Sequence, residues 1–241
     1  MRQDLINKVA LVTGGSKGIG LGVAQALVDS GVNVTITARS KSEVEAVGAE
    51  LNARGGGSVL ALTCDVRNFE EQKKVVSDTV TKFGCLDALI ANAGVGTMAP
   101  VDLLSVDDWH SMIDTNLTGV FYSVKAAIDN LKKTRGTIVT VSSLAGTNFF
   151  AGASGYNATK FGLTGFSQAI MLDLRRYGIR VSTIMPGSVA TSMGGQQPTD
   201  GDAWKLQPED IGEMVVYLLS THVRNLPSKI EVRPSFPPGA S

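Results

Sequence analysis

The run Val9-Ala10-Leu11-Val12-Thr13-Gly14-Gly15-Ser16-Lys17-Gly18-Ile19-Gly20 decides how this chain is read. Val9 to Thr13 is continuously apolar, the pattern of a strand buried on both faces. Glycines stand at 14, 15, 18 and 20, and Leu21, Val23, Ala24, Ala26, Leu27 and Val28 then recur with helical spacing up to Gly31. A strand, a glycine loop and a helix in that order present backbone N–H groups and a helix N-terminus to a diphosphate. Gly14 allows the tight turn, Gly18 the close approach of phosphates, and Gly20 the packing of helix on strand. The spacing is G-x-x-x-G-x-G rather than G-x-G-x-x-G, and no Lys-Ser/Thr follows the last glycine, so the loop is not a P-loop. Taken alone, the loop also fits a glycine turn with no ligand.

Downstream, strands and helices alternate. Val32–Ala38, Val59–Thr63, Leu86–Ala91, Ile138–Ser142, Ile179–Met185 and Lys229–Val232 read as further strands, and Ser42–Arg54, Phe69–Phe83, Val106–Lys133, Tyr156–Tyr177 and Pro208–Ser220 as helices. The pattern predicts an α/β fold with one parallel sheet, helices on both faces and a single domain over residues 1–241. Right-handed crossovers bring the strand ends to one edge, gathering the glycine loop, Arg39, Asp65, Asn92, Ser143 and Pro186-Gly187 there.

Cofactor choice is made at the end of the second strand, where an acidic residue about 20 residues beyond the glycine loop would bind a ribose 2′-hydroxyl. Here the chain reads Thr37-Ala38-Arg39-Ser40, with no carboxylate before Glu43. Arg39 offers a planar partner to a 2′-phosphate, and Lys17 across from it adds a second charge, which together favour NADP(H) over NAD(H). Asp65-Val66 fits a position beside the adenine, and Asn92-Ala93-Gly94 are small enough for a cofactor to lie against the backbone. Asn116 sits inside a helix among Leu117, Val120 and Phe121, against its propensity, which points its side chain inward.

Proton-transfer chemistry is suggested by Ser142-Ser143 followed by Tyr156-Asn-Ala-Thr-Lys160. Tyr156 and Lys160 stack on one helical face. A neighbouring ammonium lowers a phenol's pKa toward the range useful in general acid–base work. Taken alone, the pair fits a half-buried Tyr and a solvated Lys on an amphipathic helix better than a site, and only the surrounding motifs reverse that.

With 22 basic and 22 acidic residues among 241, the chain has no net charge, which argues against a nucleic-acid partner. Cys64 and Cys85 lack metal-ligand spacing and read as free thiols, no metal is expected, and there is neither a signal peptide nor a membrane-length apolar run, so a cytoplasmic location is expected. Ser192–Leu206 is Gly-rich with Trp204 as its apolar anchor and reads as a short flap (192–206), and the tail 234–241 as irregular. Leu144, Ala145, Phe149, Phe150, Ser188, Met193 and Trp204 are candidates for an apolar substrate pocket beside Ser143 and Tyr156. Core packing accounts for Phe149 and Phe150 equally well.

In combination these motifs resemble the short-chain dehydrogenase/reductase family over nearly the whole chain: Thr13-Gly-x-x-x-Gly18-x-Gly20, Asp65, Asn92-Ala-Gly94, Asn116, Ser143, Tyr156-x-x-x-Lys160 and Pro186-Gly187 with Thr191. The resemblance implies a Rossmann-type three-layer sandwich with about seven strands in the order 3-2-1-4-5-6-7. It implies Tyr156 as general acid/base, Ser143 orienting the carbonyl oxygen, and Lys160 lowering the Tyr pKa and holding the nicotinamide ribose. Asn116 would fix a water in a relay through Lys160. Cofactor contacts are implied for Gly14, Ser16, Lys17, Gly18, Ile19, Gly20, Arg39, Ser40, Asp65, Val66, Asn92, Ala93, Gly94, Tyr156, Lys160, Pro186, Gly187, Val189 and Thr191. Ala38-Arg39-Ser40 and Lys17 are similar to the NADPH-preferring, ketoacyl-carrier-protein-reductase-like branch. Ser228-Lys-Ile-Glu-Val-Arg-Pro234 and the short flap depart from that branch and point to a small ketone or aldehyde. A homodimer or homotetramer is implied. The alternatives are an NAD-dependent dehydrogenase working oxidatively, a 3-ketoacyl thioester reductase, and a dinucleotide sensor without turnover.

Overall fold

The computed structural model describes residues 4–193, 195 and 197–237, so positions 194 and 196 of the expected flap and 238–241 of the expected tail lie outside the described residues. Seven strands form one parallel sheet: β1 (Val9–Thr13), β2 (Asn33–Ala38), β3 (Val59–Thr63), β4 (Ala88–Ala91), β5 (Thr137–Val141), β6 (Arg180–Pro186) and β7 (Lys229–Val232). Their order is β3-β2-β1-β4-β5-β6-β7, as expected. The order reverses between β1 and β4, which open a crevice at their carboxyl ends, where ligands bind in open α/β sheets. Thr13 pairs with Thr37, and Val12 with Ile90, so β1, β2 and β4 end together at that crevice.

Alternation along each strand sends successive side chains to opposite layers. From β1, Val12 joins Val23, Ala24 and Leu27 of α1 (Gly18–Asp29) and Val215 and Leu218 of α7 (Pro208–Ser220). Leu11 joins the other layer, with Val75 and Val76 of α3 (Phe69–Phe83), and with Leu131 and Met171 from the two long helices described next. Apolar side chains dominate both layers, with the hydrogen-bonded pairs Thr35–Thr79 and Gln72–Ser123 buried among them, and each buried Leu, Ile or Val contributes about 1.5–3 kcal/mol relative to exposure.

The remaining helices are α2 (Lys41–Arg54), α4 (Val106–Ile113), α5 (Gly119–Thr134) and α6 (Ser154–Leu174). The helix expected over Val106–Lys133 is interrupted by a π turn, Asp114–Thr118, in which the Gly119 N–H donates to the Asp114 carbonyl. That i→i+5 bond is the mark of a π-bulge, and Asn116 sits at its centre, fully buried. The helix expected from Tyr156 starts two residues earlier and ends in a 3-10 turn at Arg175–Tyr177. Among the described residues no helix is long and apolar enough to cross a membrane. Cys64 is buried and Cys85 half-buried, both as free thiols.

Candidate active site

The glycine loop is shaped by what a side chain would strike. Gly14 adopts φ +66°, which L side chains rarely take, and a Cβ there would lie 3.0 Å from the Ala93 backbone. A Cβ on Gly20 would overlap the Gly14 carbonyl and the Asn92 amide. The two loops that close on each other are also bonded. Asn92 Nδ2 donates to the carbonyls of Thr13 (2.9 Å) and Gly14 (3.2 Å), and Thr13 Oγ1 accepts the N–H groups of Asn92 and Ala93. Asn92 therefore holds the end of β4 against the end of β1 and keeps the crevice open beside them.

That crevice is one cavity of about 850 Å³. Every cofactor-binding residue expected from the sequence lines it: Gly14 to Gly20 except Gly15, then Arg39, Ser40, Asp65, Val66, Asn92, Ala93, Gly94, Tyr156, Lys160, Pro186, Gly187, Val189 and Thr191. The volume, the glycine cradle and α1's N-terminus fit an elongated ligand that carries a diphosphate near its middle.

At one end of the cavity, Asp65 is bound by Arg67, whose Nη2 lies 2.6 Å from its carboxylate. This hydrogen bond holds the Asp65 carboxyl below its ordinary pKa, with Arg39 adding to the effect. The following turn is locked by buried Gln72, whose Nε2 donates to the carbonyls of Val66 and Gly119 and to Ser123 Oγ. Gly119 has no side chain because a Cβ would stand 2.8 Å from Val66.

At the other end, β5 delivers Ser142 and Ser143. Ser142 is turned into the fold, donating to the Lys160 carbonyl and paired with Thr164 Oγ1 at 3.0 Å. Ser143 starts a 3-10 turn, Leu144–Gly146, its Oγ accepting the Ala145 N–H at 3.1 Å. The turn lies directly on α6, since a Cβ on Gly146 would stand 2.5 Å from Thr164 Oγ1. Asn157 fastens it: Nδ2 donates to the carbonyls of Ala145 and Asn148, both at 2.7 Å, and Oδ1 accepts the Phe150 N–H. The sequence analysis did not single out Asn157, because an Asn beside Tyr156 on a helix carries no signal of the loop it will meet.

Tyr156 and Lys160 are both buried, and Lys160 Nζ lies 5.6 Å from the centre of the Tyr156 ring. Lys160 donates to the Val141 carbonyl at 3.0 Å. Burial alone pushes its pKa down to about 8. The Tyr156 phenol moves up, because burial outweighs the hydrogen bond with Ser143 that pulls it down. This corrects the expectation that Lys160 lowers the phenol's pKa: in the protein alone, desolvation of the pair dominates.

Asn116 points inward, as its apolar neighbours suggested. Its Oδ1 accepts the Val95 N–H, and its Nδ2 donates to the Val95 carbonyl and to Thr159 Oγ1, at 2.8, 2.8 and 3.1 Å. Both amide hydrogens are thus committed, so the side chain clamps Val95 to α6 and has no donor left for a water.

Of the substrate-pocket candidates, Ser143, Tyr156, Ser188 and Met193 line the cavity. Leu144, Ala145, Phe149, Phe150 and Trp204 do not. Phe149 is 85% exposed and Phe150 54%, so neither fills a pocket nor packs in the core. The wall is instead completed by Val95, Gly96, Met98, Ser192 and Lys205. Gly96 was invisible to pattern reading, yet a Cβ there would stand 3.2 Å from the Tyr156 ring.

Comparison with known proteins agrees with this geometry. The family model described as short chain dehydrogenase matches residues 8–201. Trans-4-hydroxycyclohexanecarboxylate dehydrogenase of Sinomonas cyclohexanicum is 35% identical over 225 residues, covering 88% of this chain and 86% of the relative. A 3-oxoacyl-[acyl-carrier-protein] reductase of Synechocystis is 37% identical over 191 residues, 78% of this chain and 77% of the relative. The crystal structure of an alcohol dehydrogenase from Thermococcus sibiricus, complexed with 5-hydroxy-NADP, superposes with a TM-score of 0.90 at 30% identity, covering 95% of this chain and 97% of that one. A glycine cradle, a buried Tyr–Lys pair and a serine beside the phenol, on a sheet shared with these proteins, place the chain in the short-chain dehydrogenase family, as an NAD(P)-dependent oxidoreductase acting on CH–OH groups.

Proposed function

We propose that the protein is an NADPH-dependent carbonyl reductase, reversible as an alcohol dehydrogenase, acting on a small ketone or aldehyde. The observation that carries this reading is a single cavity holding Tyr156 and Ser143 together with Arg39 and Lys17, two cations that make no ion pair among the described residues. When bound, the nicotinamide supplies or accepts the hydride. The chain's own residues handle the oxygen and the proton. Ser143 orients the substrate oxygen, and Tyr156 gives it the phenolic proton in reduction or takes it back in oxidation. With Ser142 and Asn157 tying the serine loop to α6, donor and orienter are presented as one rigid unit. Lys160, half-neutralised near pH 8 by its burial, is poised to replenish the phenol's proton. Arg39 and Lys17 would hold a ribose 2′-phosphate.

The wall formed by Val95, Gly96, Met98 and Met193 suits a compact apolar substrate rather than a carrier-borne acyl chain. The oligomer is proposed to form through α5 and α6. Phe121, Phe161 and Leu172 stand 47%, 42% and 59% exposed there, and Phe121 contacts Phe166 edge-on, joining the two helix faces. A cytoplasmic location suits the two free thiols.

The test is a fluorescence titration with NADPH and NADH, followed by a panel of small ketones and aldehydes with the preferred cofactor. At least tenfold tighter NADPH, about 1.4 kcal/mol, with turnover of some member, supports the reading. Tighter NADH, or no turnover across the panel, overturns it. The runner-up, an NAD-dependent dehydrogenase working oxidatively, draws on one observation: a carboxylate, Glu43, also lines the cavity.

A further inference from the structure

Glu43 stands in the first turn of α2 and faces the glycine loop. Its N–H donates to Ser40 Oγ at 3.3 Å, the cap of that helix, and its Oε2 accepts the hydroxyl of Ser16 at 3.2 Å. Ser16 is buried, 8% exposed, at the heart of the loop. Glu43 is therefore fixed at both its backbone and its carboxylate, and it lines the same cavity end as Lys17, Arg39 and Ser40. Three charges meet there. Two are cations with no ion pair among the described residues, and one is an anion engaged only with a neutral hydroxyl.

The two forms of the dinucleotide differ only at one ribose position. A 2′-hydroxyl is a donor, which a carboxylate accepts. A 2′-phosphate brings about 1.5–2 negative charges and three acceptor oxygens. It would seek Arg39, Lys17 and the Ser16 hydroxyl. Glu43 already occupies that hydroxyl and repels the phosphate, while the N-terminal turn of α2 draws either anion to the same place.

We propose that Glu43 is a specificity-determining residue of the dinucleotide site. By holding the Ser16 hydroxyl and presenting its own carboxylate, it opposes Arg39 and Lys17, weakens NADPH and allows NADH to bind. The preference for NADPH is the balance of these opposed charges, and it is smaller than Arg39 and Lys17 would set by themselves. This rests on the reading of the cavity as a dinucleotide site with Arg39 and Lys17 at its phosphate end.

The experiment is to measure dissociation constants for NADPH and NADH by cofactor fluorescence, at one fixed ionic strength, for wild type, Glu43→Gln and Glu43→Ala. Both variants are expected to tighten NADPH about tenfold and to leave NADH unchanged or weaker, so that the NADPH-to-NADH ratio rises at least tenfold. An unchanged ratio in both variants, or equal loss of both cofactors, overturns the proposal. The wild-type ratio tests the NADPH reading separately. If wild type favours NADH and Glu43→Gln swings the ratio to NADPH, the proposal stands and the NADPH-dependent reading falls. If wild type favours NADPH and the variants match it, the reading stands and the proposal falls.

Discussion

Lys160 Nζ donates to the carbonyl of Val141 at 3.0 Å, a bond that ties the helix carrying Tyr156 to the strand that delivers Ser143. The residue that shares α6 with the phenol also fixes that helix against the end of β5. Its pKa records the cost. Burial brings it down to about 8 from 10.5. Below pH 8 both folded and unfolded chains carry the proton, and the folded state bears the whole cost of a buried ammonium. Between pH 8 and 10.5 the unfolded chain holds more protons, so this contribution to stability rises with pH. Compared with wild type, Lys160→Met should therefore lose about 3 kcal/mol of relative stability between pH 7 and pH 10.5. Urea denaturation of both proteins across that range checks it; a gap that stays constant would mean the ammonium is solvated.

Tyr156→Phe keeps the ring and removes the proton donor. Turnover should fall about 10²–10⁴-fold, the usual contribution of a positioned general acid, while cofactor affinity and melting temperature stay close to wild type. Stopped turnover together with lost cofactor binding would point to a packing role instead.

Asn157→Ala leaves the carbonyls of Ala145 and Asn148 without their shared donor. Stability should drop by about 2 kcal/mol, and kcat should fall while cofactor dissociation constants hold, because the loop carrying Ser143 is released but the glycine cradle is untouched. Equal losses in cofactor binding and kcat would show that the loop acts on the whole cavity.

Gly20→Ala inserts a Cβ into the Gly14 carbonyl and the Asn92 amide. It should break the Thr13–Asn92 closure and abolish measurable binding of either dinucleotide, with calorimetric titration as the readout. Gly165→Ala on α6, where a Cβ meets nothing within 4 Å, serves as the control and should bind normally.

Much of this was legible from residues alone, for a physical reason: motifs at the ends of parallel strands are brought to one edge by the handedness of the crossovers. That places Gly14, Asn92, Ser143 and Thr191 in one cavity without any knowledge of packing. The inward turn of Asn116 was also legible, from a polar residue set among Leu117, Val120 and Phe121. What escaped depends on contacts made after the elements dock. Glu43 reaches Ser16 only because α2 starts opposite the glycine loop. Asn157 finds its partners in a loop whose path no periodicity encodes. The expected effect of Lys160 on the phenol considered the pair's spacing but not its shared burial, which changes the sign for Tyr156. Phe149 and Phe150 suggested a pocket because they are large and apolar, and the loop simply carries them into solvent.

The π turn at Asp114–Thr118 sets a limit on how this chain can vary in length. One residue fewer there would restore an unbroken α ladder from Val106 to Thr134, locally the better helix. The helix beyond the turn would keep nearly its present rotation relative to α4, because a π turn fits one more residue into about the span of an α turn, so Gly119 would stay on Val66 and Ser123 on Gln72. Asn116, seated inside the turn, would lose the placement that lets it reach both Val95 and Thr159. Deleting a residue from the regular ladder of α5 would instead rotate everything on one side of the cut by about 100° and unseat those contacts.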